Sequence, residues 1–207
     1  MIWTAPSAVS RPSYLADLPL ASQAFEFTAE RHAGQLREAD AAPFLLHPLE
    51  VGALLHVFGY PERVVTAGLL HDILESSDTT AVELRMRFGP VVAGLVEAVS
   101  EDPAVSDPVE RKARLRRQVA ATGAEAAAVF AADKLSKVRE IRIRAACDAA
   151  FASDAGLRMK LDHYLASRRM LERQLGEHPI VTALAFELEA LEFLPPSASP
   201  RPAFTSL

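Results

Sequence analysis

Residues 67–80 read AGLLHDILESSDTT. Leu69, Leu70, Ile73 and Leu74 recur at helical spacing, so the segment reads as a buried amphipathic helix rather than a strand. Three ionisable residues interrupt that apolar pattern: His71, Asp72 and Glu75. An uncompensated charge in a buried helix is expensive, so these residues need partners. Reading outward on both sides extends the helix to about 61–76, with Pro61 following Gly59 at its start and Thr79-Thr80 able to cap the next one.

The same question arises twice more. In residues 43–55, PFLLHPLEVGALL, His47 stands before Pro48 at a helix start with apolar residues on both sides. In residues 124–138, AEAAAVFAADKLSKV, Asp133 follows a run of alanine, valine and phenylalanine. His47, His71, Asp72 and Asp133 together make two nitrogens and two carboxylates, a donor set that suits a divalent transition ion such as Mn²⁺, Zn²⁺ or Fe²⁺. On a continuous helix His71 and Asp72 would point about 100° apart and reach one ion lying over the ridge between them. Taken singly, each residue also reads as a satisfied core residue. Four of them at positions where leucine would be expected bring the metal reading level with that one.

The rest of the chain is helical in pattern. Helices are expected over about 16–37, 47–58, 61–76, 80–87, 88–100, 108–121, 124–146, 154–175 and 179–193, and alternating β patterns are absent. The expectation is an all-α, single-domain helical bundle over 16–193. A flexible N-terminus (1–15) and a flexible Pro/Ser-rich tail (194–207) would flank it. The chain has 207 residues, half of them hydrophobic, enough for one domain with a sizeable core. A net charge of −5 argues against nucleic acid or an anionic membrane surface as partner. Cys147 is the single cysteine, so no disulfide framework can form within the chain. No signal peptide and no spanning segment are evident, and a cytoplasmic location is expected.

Five motifs occur in order: RHAGQLR (31–37), PFLLHPLEVGALL, AGLLHDILESSDTT, FGPVVAGLVEAVS (88–100) and AADKLSKVREI (131–141). This series resembles the HD-domain hydrolases of the RelA/SpoT family, and the single-domain alarmone hydrolases, the metazoan SpoT-homologue type, most of all. The resemblance implies an HD-domain fold and Mn²⁺-dependent removal of pyrophosphate from the 3′ position of (p)ppGpp, the stringent-response nucleotide. It places the metal ligands on His47, His71, Asp72 and Asp133, and the arginine that packs against guanine on Arg37. Glu75, one turn from His71, is the candidate to handle the attacking water.

The departures from the family pattern fall around those ligands. Ser76 stands where a second acid follows the glutamate, although Asp78 is kept. Lys137 replaces the asparagine four residues after the metal aspartate, as a candidate phosphate contact or a helix ion pair to Asp133. Glu38 replaces a basic residue, and Phe44 a frequent tyrosine. These changes leave two alternatives beside the alarmone hydrolase: an HD phosphohydrolase for a different nucleotide, and a catalytically weakened nucleotide-binding module. The basic run ERKARLRRQ (110–118) reads as a solvated face or as an attractor of polyphosphate, and Lys160 with Tyr164 as helix packing or as one wall of a pocket. His32 reads as a supporting residue; His56, His163 and His178 carry no motif. The oligomeric state is not legible.

Overall fold

The computed structural model describes residues 9–37, 41–152 and 155–192. The expected terminal segments therefore fall largely outside the described residues, as does Glu38. Among the described residues the only extended pairing is an isolated antiparallel bridge between Leu36 and Pro43, and everything else regular is helical. The all-α expectation holds. The chain forms two compact units, Met1–Ser100 and Glu101–Leu207.

The first unit opens with a 3-10 turn at Ser13–Asp17, whose Leu15 is fully buried. It continues with α1 (Pro19–Arg31), α2 (Leu46–Val57), α3 (Glu62–Leu70), the short α4 (Ile73–Ser76) and α5 (Ala81–Val99). Helix α3 packs against α1, α2 and α5, which explains why every residue from Val64 to Leu70 is buried. Glu62, in its first turn, accepts from the backbone N–H groups of Leu20 and Ala21 and so caps α1. Thr28 on α1 donates to the Leu69 carbonyl at 2.9 Å, tying α1 to the end of α3. Thr80 caps α5 through the Glu83 N–H. The break expected near residue 88 falls at Gly89, whose φ of 82° separates α5 into two helical halves.

Helices α2 and α3 are joined by a short turn through Gly59, so they run antiparallel and bring the start of α2 to the end of α3. Two glycines let them approach closely. A Cβ on Gly68 would lie 2.4 Å from Leu55 Cδ1, and one on Gly52 would lie 2.8 Å from Leu69 Cδ2. Leu55 is fully buried, so its side chain can shift only by displacing packed neighbours. Gly68→Val is therefore expected to lower unfolding stability by about 2–3 kcal/mol through overpacking. Urea unfolding would measure it, and an unchanged midpoint would show that α2 and α3 separate freely.

Two expectations need correction, and the first is the helix expected over 16–37: α1 ends at Arg31, Gly34 takes φ 78°, and Leu36 bridges to Pro43. Nor are residues 61–76 one continuous helix: α3 ends at Leu70, Asp72 sits at φ −92°, ψ −3°, and α4 begins at Ile73. The hydrophobic period runs straight across this break, so the sequence conceals it. The His71 ring bonds back to the Gly68 carbonyl, and the Asp72 carbonyl becomes the first acceptor of the next turn, receiving the Glu75 and Ser76 N–H groups.

The second unit contains α6 (Pro108–Thr122), α7 (Ala124–Cys147), α8 (Ala149–Ala152), α9 (Ala155–Leu175) and α10 (Pro179–Glu192). Asp107 caps α6 by accepting from the Val109 and Glu110 N–H groups. Gly123, at φ 112°, separates α6 from α7. Helix α7 is the central element here, contacting α6, α9 and α10, and its residues from Ala126 to Ser136 are all buried. Its later turns pair Arg139 and Arg142 with Glu187 of α10, a carboxylate that would be costly to bury alone. No helix among the described residues is long and apolar enough to cross a membrane.

Candidate metal centre

The helical hairpin of the first unit sets the geometry. His47 enters at the start of α2 and His71 follows the last turn of α3, and the two Nε2 atoms lie 3.1 Å apart. Asp72 completes the group. Its Oδ1 is 3.2 Å from His71 Nε2 and its Oδ2 is 3.5 Å from His47 Nε2. The imidazoles are 4% and 3% exposed and the carboxylate 15%, so the cluster is nearly dry with an opening on the aspartate side.

His71 Nδ1 donates to the Gly68 carbonyl at 2.8 Å. That bond places the proton on Nδ1 and leaves Nε2 with its lone pair facing His47 and Asp72. Two imidazole nitrogens at 3.1 Å repel unless a proton or a cation lies between them. A divalent transition ion satisfies both nitrogens and the carboxylate, and histidine-plus-carboxylate donors suit such ions. The residues present therefore fit a metal.

A supporting layer surrounds these donors. His32, buried, shares a hydrogen bond between Nδ1 and Gln35 Oε1 at 2.8 Å and packs its ring on Phe44. Burial pulls the His32 pKa below its ordinary value, with Gln35 and Asp72 opposing. Gln35 in turn donates to the Ser76 carbonyl at 3.0 Å, tying the RHAGQLR segment to α4. Gln35 was not singled out in the sequence. Its signal was its place inside a motif whose arginine drew the attention. Ser76 Oγ donates to the Asp72 carbonyl at 2.5 Å, so its hydroxyl is committed to the backbone. Glu75 is exposed in the first turn of α4. Arg37 is half-buried, and its backbone closes a loop through bonds to Ala41 and Ala42.

In the second unit, Asp133 is buried on α7. Its Oδ2 is 2.5 Å from Lys134 Nζ and its Oδ1 is 3.0 Å from Lys137 Nζ. Lys137 thus makes the helix ion pair that its spacing allowed. Lys134 is buried with its ammonium over the Phe130 ring. Burial lowers the Lys134 pKa, and the Asp133 charge opposes the shift.

Residues 24–156 match the HD domain family. The mouse guanosine-3′,5′-bis(diphosphate) 3′-pyrophosphohydrolase MESH1 is 36% identical over 122 residues, covering 58% of this chain and 68% of the mouse protein. The enzyme of the same activity name from Aquifex aeolicus is 34% identical over 121 residues, and a GTP pyrophosphokinase from Myxococcus xanthus is 38% identical over 96. This chain spans only 17% and 12% of the lengths of those two bacterial proteins. A solved structure of a metazoan SpoT orthologue, described as hydrolysing ppGpp, superposes with a TM-score of 0.68 at 24% identity, covering 90% of this chain and all of that one. That likeness adds the fold. The chain belongs to the HD-domain family, in its RelA/SpoT branch.

Proposed function

We propose that this chain is a metal-dependent (p)ppGpp 3′-pyrophosphohydrolase. The observation that carries the proposal is the His47–His71–Asp72 cluster at 3.1–3.5 Å, in a chain 36% identical to a protein of that name. The proposed ligands are His47, His71, Asp72 and Asp133, the last from its place in the AADKLSKVREI motif, and the proposed ion is Mn²⁺. When bound, such an ion supplies Lewis acidity, making water a better nucleophile and polarising a phosphoryl oxygen.

The chain's own residues do the rest. Glu75 accepts the proton of the attacking water and, being exposed, passes it to solvent. Gly68 holds His71 in one tautomer through its carbonyl. Arg37 is proposed to stack on the guanine base and Lys137 to contact a phosphate. A cytoplasmic setting is supported by the nucleotide substrate and the single cysteine. A second reading, an HD phosphohydrolase for a different nucleotide, is favoured by one observation: the Ser76 hydroxyl is spent on the Asp72 carbonyl and cannot stand in for a second acid.

The test is pyrophosphate release from ppGpp by purified protein with Mn²⁺. Release that stops with EDTA and returns with Mn²⁺ is expected. Protein shown to carry metal that releases none overturns the alarmone reading, and a nucleotide panel then decides the second.

A further inference from the structure

The second unit contains a cavity of about 530 Å³ that brings together Lys134 and Lys137 of α7, Lys112 and Arg116 of the basic run on α6, and Lys160, His163 and Tyr164 of α9. That volume is in the range of small-molecule sites. Its wall carries five basic side chains, Lys112, Arg116, Lys134, Lys137 and Lys160, against the single carboxylate of Asp162. Val109 and Met159 add an apolar ledge, and His163 and Tyr164 complete the lining. Some of the charge is compensated from behind: Lys112 pairs with Glu101, and Lys134 and Lys137 with Asp133.

Arg116 differs from the lysines. Its Nη1 lies 2.6 Å from His163 Nδ1, across from α6 to α9. A guanidinium has only donors, so His163 must accept through Nδ1 and carry its single proton on Nε2. His163 is then neutral, and Arg116 keeps its full charge while its plane is held by a neutral partner. Burial, and then the cations Lys134, Lys112 and Arg116, push the His163 pKa down to about 3, consistent with that assignment. His163 Nε2 is buried and makes no hydrogen bond among the described residues.

We propose that Arg116 is a phosphate-binding residue of this cavity and that His163 is its positioning residue, together setting preference for a polyphosphate nucleotide. This rests on the proposed nucleotide chemistry and adds to it two residues outside the motif set. A planar guanidinium held at a fixed angle receives two phosphate oxygens at once, which the flexible ammonium groups around it do not.

The experiment uses the full chain in EDTA with inorganic tripolyphosphate as probe, titrated by calorimetry. Arg116→Gln is expected to weaken binding by about tenfold or more, the loss of a charge-assisted bidentate contact. His163→Leu is expected to weaken it by about threefold to tenfold, and His163→Gln, which keeps an acceptor for Arg116, to stay within about twofold of the parent. Arg173→Ala, a charge removed elsewhere on the same unit, should match the parent. With Mn²⁺ and ppGpp, Arg116→Gln should raise KM and leave kcat nearly unchanged. No binding by the parent, equal binding by Arg116→Gln, or an equal loss in Arg173→Ala overturns the proposal. Arg116-dependent binding without ppGpp turnover would retain this site and reject the alarmone substrate. Turnover with an unchanged KM in Arg116→Gln would do the reverse.

Discussion

Asp72→Ala should abolish Mn²⁺ binding and, with it, pyrophosphate release. Asp72 stands beside both histidine Nε2 atoms, at 3.2 Å from His71 and 3.5 Å from His47. Without it the two imidazole nitrogens lose the negative charge that stands beside both of them. Even loss of a residue that merely orients a ligand costs about 10–100-fold in metal affinity, and loss of a ligand costs more. The variant should fold, because what α4 takes from Asp72 is its backbone carbonyl, which accepts from Ser76. Thermal unfolding separates the two effects. At Mn²⁺ near 100 times its dissociation constant, the parent gains about 2.7 kcal/mol, or about 5–10 °C in a chain of this size. Asp72→Ala should show the parent's metal-free midpoint to within a few degrees and no shift with Mn²⁺. A variant that still shifts and still releases pyrophosphate would mean that this cluster is not the metal centre.

The sequence disclosed that cluster unusually well, and for a physical reason. Histidine and aspartate cost so much in apolar helices that His47, His71 and Asp72 stand out against leucine and alanine. Helix limits were also legible wherever a residue has a backbone-specific role: Thr80 and Asp107 as caps, Gly89 and Gly123 at positive φ. The break between α3 and α4 was not legible. Its cause is a side-chain bond from His71 to the Gly68 carbonyl, which leaves the hydrophobic period untouched. The need for a residue without Cβ at 68, where Leu55 and Val51 would meet one, was equally hidden, since it depends on how close two helices come rather than on either helix alone. Arg116 was marked only as one member of the basic run 110–118, and its pairing with His163, 47 positions away, has no local signal. The AGLLHDILESSDTT segment showed its clustered donors but not its break, whereas α6 and α9 showed their basic residues but not which of them pair across the cavity.

Glu75→Gln should leave Mn²⁺ binding intact and reduce kcat by about 10²–10⁴-fold, the usual worth of a positioned general base. Glutamine keeps the size and the hydrogen-bonding reach of the side chain but cannot accept a proton at neutral pH. Glu75 sits in the first turn of α4, where its charge is favoured by the helix end and its exposure allows proton exchange with water. The neighbouring hydroxyl offers no substitute, because Ser76 Oγ is donated to the Asp72 carbonyl at 2.5 Å. With Glu75 as the proposed base, one carboxylate would carry a task that the RelA/SpoT pattern divides between two, and removing it should be more damaging here. The converse change, Ser76→Asp, should raise kcat on ppGpp while leaving the Mn²⁺-induced thermal shift in place. Single-turnover pyrophosphate release by metal-loaded parent, Glu75→Gln and Ser76→Asp measures both directions at once. If Glu75→Gln turned over at the parental rate, the proton would have to leave by another route and the base would lie elsewhere. If Ser76→Asp slowed the reaction, the serine would be a feature the substrate requires, and a nucleotide other than ppGpp would become the better match for this site.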